Sequence, residues 1–273
     1  MEIINLEKYD LIDTKSTSSK GNQQKWLVDG TWYKADHMGY EALCEVVVSS
    51  LLVKSNVDSF IEYHPVKIEF NGRVLNGCRS ENFRGKNESL ITLEHLSKNW
   101  LGASMARELL KYESVEDKIK RTVDFVEKVT GLQNVGEYIT MMIEIDAFFL
   151  NEDRHTNNIA FILNDESGQY RFCPFFDFGL SLLADTAEDY PLGVDIYAAV
   201  EKIAAKPFNR DFYTQLEAAT KLYGDRLKLS FTNADIEAAF AGLDEYYSDE
   251  IIERVRNLLY NQKRKYAYMF RTL

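Results

Sequence analysis

Two short acidic motifs, Asp153-Arg154-His155-Thr156-Asn157-Asn158 and Asp177-Phe178-Gly179, flank a pair of apolar runs joined by a polar turn. Phosphoryl transfer requires a carboxylate that orients the attacking hydroxyl, plus an amide oxygen and a second carboxylate that hold Mg²⁺ against the nucleotide phosphates. Asp153, Asn158 and Asp177 supply these residue types in this order. His155 sits inside the first motif, where it is a candidate to brace Asp153 or to contact phosphate. Gly179 permits the backbone to turn after Asp177.

The elements around these motifs give them their force. An apolar helical pattern over residues 135–150 ends just before Asn151 and Asp153. The run Ile159-Ala160-Phe161-Ile162-Leu163 then reads as a strand, and a second strand around Arg171-Phe172-Cys173 leads to Asp177. This layout predicts Asp153, Asn158 and Asp177 near one strand end. Taken alone, the polar loop would pass for an ordinary helix-ending turn, because Asp and Asn favour such places.

Upstream, Lys25-Trp26-Leu27-Val28 and Thr31-Trp32-Tyr33-Lys34 flank Asp29-Gly30, a strong two-residue hairpin signal. Alternation puts Lys34 on the face of Trp32. Apolar residues at helical spacing over 40–53 predict a helix carrying Glu41 and Glu45 one turn apart. A lysine so placed neutralises nucleotide phosphates while an acidic partner fixes it. Helical phase leaves both glutamates eligible, and Glu41, nearer the strand, is the expected partner. Asn71-Gly72 predicts a second hairpin between strands over 65–70 and 73–79, and residues 80–89 read as a connection.

Ahead of the first hairpin, the segment over 14–25 is rich in hydroxyls and holds one glycine, so it matches neither a Walker loop nor the glycine-rich loop of eukaryotic kinases. Its small residues and backbone amides suit it to cradle phosphate, and its hydroxyls make it a candidate for self-phosphorylation. Helices are expected over 92–110, 115–130, 196–205, 211–223, 233–241 and 248–270.

Composition sets outer limits. The 273 residues, 45% of them hydrophobic, suffice for one large domain or two lobes. A net charge of −11 argues against direct nucleic-acid binding. Cys44, Cys78 and Cys173 are too scattered for a zinc site or a disulfide frame and are expected as buried free thiols. His37, His64 and His95 show no metal spacing. No apolar run approaches the roughly 18 residues needed to span a bilayer, and the N-terminus lacks a basic signal-peptide start. The expectation is therefore no membrane partner and a cytoplasmic protein.

The motif at 151–158, Asp177 after the hairpin, and Ser18-Ser19-Lys20-Gly21-Asn22-Gln23-Gln24-Lys25 ahead of Lys34 together resemble the HipA-like serine/threonine kinases of bacterial toxin-antitoxin systems. The Asp-Arg-His-x-x-Asn string also looks like the catalytic loop of phosphoinositide 3-kinase-like enzymes. The resemblance implies an α+β, two-lobed protein-kinase-like fold, with a β-rich N-lobe over 1–84 and a mainly α-helical C-lobe over 85–273. It implies ATP and Mg²⁺ as cofactors, Asp153 as catalytic base, Asn158 and Asp177 as metal ligands, and Lys34 on the phosphates. Ser18, Ser19, Lys20, Gly21 and Gln23 would cover those phosphates, and Glu81 and Phe83 would belong to the adenine-contacting hinge. It further implies transfer of the γ-phosphoryl group to a serine or threonine of a protein, with autophosphorylation, and a small antitoxin-like partner. The length leaves no room for the extra N-terminal subdomain of full-length HipA proteins, and Lys20 stands where relatives often carry a second serine. The alternatives are a kinase for a small molecule, lipid head group or peptide natural product, and a nucleotide-binding pseudokinase or antitoxin-binding module.

Overall fold

The computed structural model describes residues 3–12 and 23–270. In chain order its elements are β1 (Ile3–Asn5), β2 (Lys25–Val28), β3 (Thr31–Ala35), α1 (Glu41–Leu52), β4 (His64–Phe70), β5 (Arg73–Glu81), β6 (Glu88–Thr92), α2 (Leu93–Leu101), α3 (Met105–Leu109), α4 (Val115–Thr130), α5 (Val135–Phe149), β7 (Ala160–Asn164), β8 (Tyr170–Phe172), α6 (Ile196–Val200), α7 (Phe212–Tyr223), α8 (Asn233–Ala238) and α9 (Asp249–Lys265). They fall into two compact units. The first takes in Met1–Asn82, Phe176–Ile203 and Lys228–Leu273; the second takes in Phe83–Phe175 and Ala204–Leu227.

In the first unit five strands form one sheet in the order β1-β4-β5-β3-β2. Both predicted hairpins are present. Asp29 and Gly30, and likewise Asn71 and Gly72, all have positive φ, the conformation in which a two-residue turn matches the twist of its strands. β1 pairs parallel to β4, Ile3 opposite Lys67, a contact without local signal. Leu6, Trp26, Ala35, Val66 and Ile68 make a buried cluster, in which Trp26 meets Phe70 edge to face at 5.0 Å. Alternation then leaves Lys25 and Lys34, which are register partners, on the opposite face.

The segment after Phe176 is held to the first unit through α1 and its N-terminal turn. The Tyr40 hydroxyl donates to the Leu182 carbonyl at 2.8 Å, and the Cys44 thiol donates to Ser181 O. A Cβ at Gly39 would lie 2.1 Å from Ala184 O, so only glycine fits there. Arg254 of α9 donates to the carbonyls of Tyr190 and Pro191.

The second unit joins helices to the sheet β6-β7-β8. Tyr138 of α5 stacks on Phe172 and Phe175 at 4.6 and 4.8 Å and donates its hydroxyl to Cys173 O. The helix expected over 92–110 is two helices. Gly102, at φ +66°, ends α2, and the Ser104 side chain accepts the Arg107 N–H to start α3. The expected connection over 80–89 is shorter, because β5 runs to Glu81 and β6 begins at Glu88, where it pairs with β7. α6 stops at Val200 rather than 205, and α9 stops at Lys265, followed by a 3-10 turn.

Candidate active site

β3 carries Lys34 and α1 carries Glu45, and the two meet in a buried ion pair with Lys34 Nζ 2.5 Å from Glu45 Oε1. The partner is therefore Glu45, which corrects the expectation of Glu41. Both glutamates share the predicted helix, but Glu41 lies in its first turn, where its carboxylate accepts the backbone N–H groups of His37, Met38 and Gly39. These donors belong to the turn that leads into the helix, and buried backbone N–H groups need such an acceptor. Glu45, a turn further along, is free of that duty and fully buried.

Lys34 Nζ also lies 2.8 Å from Asp177 Oδ1 and 5.0 Å from the centroid of the Tyr63 ring. Burial by itself would lower the Lys34 pKa. The facing carboxylates of Asp177 and Glu45 outweigh it and hold the ammonium well above the ordinary lysine value. Burial pushes the Glu45 carboxyl up, opposed by Lys34 and by the Phe178 N–H. That N–H donates to Glu45 Oε2 at 2.8 Å, so one carboxylate joins β3 to the Asp177-Phe178-Gly179 segment. Asp177 itself has φ +63°, a left-handed conformation that few residues other than glycine adopt and that Asp tolerates. Phe178 is buried beneath it. Lys25, across from Lys34 on β2, lies 3.8 Å from the same Asp177 oxygen.

The second unit builds the loop after α5. Leu150, at φ +56°, ends the helix, and its successor Asn151 donates both its backbone N–H to the Asp146 carbonyl and its side-chain amide to Asp146 Oδ1. Asp146 and Arg154 form a buried two-pronged pair, Nε to Oδ2 at 2.9 Å and Nη2 to Oδ1 at 3.0 Å. Arg154 Nη1 reaches the Asn158 carbonyl at 2.9 Å, which closes the loop on itself. Burial raises the Asp146 pKa, against the pull of Arg154.

Within that frame the Asp153 N–H donates to Asn151 Oδ1, and the Asn158 side-chain amide donates to the Asp153 carbonyl at 2.9 Å. The second bond assigns the amide nitrogen and leaves Oδ1 as the atom of Asn158 suited to a cation. The Asn157 N–H donates to His155 Nδ1, which places the proton of the neutral ring on Nε2. His155 Nε2 is 3.6 Å from Asp153 Oδ2. Lys206, from the stretch between α6 and α7, donates to Asp153 Oδ1 at 3.0 Å.

Asn158 Oδ1 and the Asp177 carboxylate are hard oxygen donors, the type that Mg²⁺ takes. Ser18, Ser19, Lys20 and Gly21 lie outside the described residues, and Gln23 stands two residues ahead of β2. Glu81 ends β5 opposite Thr31. The Phe83 carbonyl accepts from Arg171 Nη2 at 3.2 Å, while Arg171 and the Gly85 N–H hold the Glu88 carboxyl down at about 2. Cys44, Cys78 and Cys173 are buried and free, as expected.

Sequence reasoning missed Lys25, Lys206 and Asp146. Lys25 was accessible to it, because a two-residue turn at Asp29-Gly30 forces the pairing of 25 with 34. Asp146 lies within the expected helix but its role depends on a partner eight residues on. Lys206 carries no local signal.

The strand order, the Lys34–Glu45 pair and the Asp177-Phe178-Gly179 segment make this an α+β, two-lobed protein-kinase-like fold. Among solved structures it is similar to the crystal structure of the Helicobacter pylori proinflammatory kinase CtkA, with a TM-score of 0.62, 15% identity, and coverage of 98% of this chain and 96% of that one. HipA of the Shewanella oneidensis MR-1 toxin-antitoxin system, in its complex with HipB and operator DNA, matches with a TM-score of 0.49 and 14% identity over 93% of this chain and 66% of that one. No protein-family model matches the sequence. No curated protein matches it either. The fold expected from the motifs is thus the fold observed, and among the described residues no helix is long and apolar enough to cross a membrane.

Proposed function

We propose that this chain is an ATP- and Mg²⁺-dependent, HipA-like kinase that transfers the γ-phosphoryl group to a serine or threonine hydroxyl of a protein. The observation that carries the reading is the buried Lys34–Glu45 pair with Asp177 on the same ammonium. A lysine held charged in this way neutralises nucleotide phosphates, and Glu45 fixes its position. Asp153 accepts the proton of the acceptor hydroxyl. Asn158 and Asp177 offer the oxygens for the metal, whose chemistry is to neutralise charge on the phosphates. The hydroxyls of the segment over 18–23 are the expected autophosphorylation sites, and Glu81 and Phe83 lie on the strand-to-connection stretch that contacts adenine.

A small antitoxin-like partner and a cytoplasmic location belong to the same reading, the latter supported by three free thiols. The test is phosphate incorporation from radiolabelled ATP, followed for wild type and Asp153→Asn. Wild type incorporates label and the variant falls by orders of magnitude while melting at the same temperature. Equal labelling of both would remove Asp153 from its role, and tight ATP binding without any transfer would identify a nucleotide-binding pseudokinase.

A further inference from the structure

Asp153 is a buried carboxylate with its two oxygens in different company. Oδ1 accepts from Lys206 Nζ at 3.0 Å, whereas Oδ2 faces His155 Nε2 at 3.6 Å, beyond hydrogen-bond reach. The Asp153 side chain is 11% exposed and that of Lys206 35%. An ion pair on an open surface contributes little because water screens it. Here the carboxylate is largely removed from water, and the lysine reaches it from 53 residues away in the chain.

We infer that Lys206 is a positioning residue of phosphoryl transfer, which fixes the Asp153 carboxylate through Oδ1 and places a positive charge beside the acceptor hydroxyl. The inference rests on the kinase reading above. The carboxylate so held is the group that takes the proton. The acceptor oxygen forms its bond to the γ-phosphorus as the bond to the β,γ-bridging oxygen breaks. The electron pair of that bond leaves with ADP, and the hydroxyl proton passes to the Asp153 carboxylate. A methionine of similar length at this position keeps the packing of the stem and removes the charge and the hydrogen bond to Oδ1.

The experiment compares wild type, Lys206→Met, Lys206→Arg and Asp153→Asn, with MgATP as the probe. Calorimetry gives the MgATP affinity, and autophosphorylation from radiolabelled ATP gives the transfer rate and its dependence on ATP concentration. Lys206→Met is expected to lower the maximal rate about 10- to 100-fold, the equivalent of one charge-assisted hydrogen bond lost. Its MgATP affinity and melting temperature stay at the wild-type values, and Lys206→Arg recovers most of the lost rate.

An inactive Asp153→Asn beside a fully active Lys206→Met would overturn the role of Lys206 and leave the kinase reading intact. Loss of melting temperature or of MgATP affinity in Lys206→Met, with no gain in Lys206→Arg, would reduce the contact to a structural one and also overturn it. A wild-type chain that transfers no phosphate, or an Asp153→Asn variant as active as wild type, would instead overturn the kinase reading and this inference with it.

Discussion

Lys25 and Lys34 are register partners on adjacent antiparallel strands, and both ammonium groups approach one oxygen of Asp177, at 3.8 and 2.8 Å. Two cations converge on the carboxylate proposed to face the nucleotide, and among the described residues only Lys34 has a buried glutamate to hold it. Lys34 is therefore the fixed charge and Lys25 the adjustable one. Lys34→Met should lower phosphate transfer by about 100-fold or more, since a fixed charge aimed at the phosphates is lost. Lys25→Met should weaken MgATP binding by roughly 3- to 10-fold, in line with a partly screened contact. Calorimetric titration with MgATP separates the two, and an unchanged affinity for Lys25→Met would remove it from the nucleotide half.

Glu41 and Glu45 divide structure from chemistry on one helix. Glu45→Gln keeps the shape of the side chain but removes the charge facing Lys34, so transfer activity should fall while the chain stays folded. Glu41→Ala should instead cost about 1–3 kcal/mol of stability, as for buried backbone donors left without an acceptor, with MgATP affinity retained. Urea unfolding beside MgATP titration of both variants checks the division. A large affinity loss in Glu41→Ala would contradict it.

Asp146→Ala leaves the Arg154 guanidinium buried without its carboxylate. Breaking a buried pair by removing one member costs about 3–5 kcal/mol, and here the loop holding Asp153 and Asn158 loses its anchor as well. Urea unfolding should show the loss in stability, and phosphate transfer should drop with it. A midpoint within experimental error of wild type would show that the pair contributes nothing.

Gly77→Ala tests the seat of β3. A Cβ at this position would lie 2.5 Å from the Lys34 carbonyl and 2.6 Å from Ile68 Cδ1. Overpacking of this kind costs about 1–3 kcal/mol, and the strand that must yield is the one carrying Lys34. The expected result is a lower thermal midpoint together with weaker MgATP binding. A stability loss with unchanged binding would mean that the strain is absorbed by β4.

The three cysteines give a pH-dependent signature. Burial pushes the Cys173 thiol up to about 12 and those of Cys44 and Cys78 well above the ordinary thiol value. The unfolded chain ionises its thiols near pH ~8.5, whereas the folded chain keeps them protonated, so stability falls as pH rises above that point. Ellman's reagent at neutral pH should label the native chain slowly, and all three thiols should react in guanidinium. Rapid labelling before unfolding would count against the burial.

Much of the fold was legible where the signal is local. Asp29-Gly30 and Asn71-Gly72 announced their hairpins, and the apolar spacing of Leu43, Val46, Val47 and Leu51 announced α1. What the sequence hid depends on distant partners. β1 exists because Ile3 pairs with Lys67, and β6 because Glu88 pairs with Asn164; neither strand has a hairpin turn beside it. The return of Phe176–Ile203 to the first unit rests on contacts such as Tyr40 with Leu182. The choice between Glu41 and Glu45 could not be made from helical phase. It turned on which carboxylate was already committed to the backbone donors of residues 37–39.

The Glu45 carboxylate bonds Lys34 with one oxygen and the Phe178 N–H with the other. It therefore works as a logical AND. α1 cannot slide away from the sheet without releasing the lysine and the Asp177-Phe178-Gly179 backbone in the same movement, so intermediate arrangements with only one of them in place are disfavoured. Any agent that shifts α1 by an ångström or two acts on both at once.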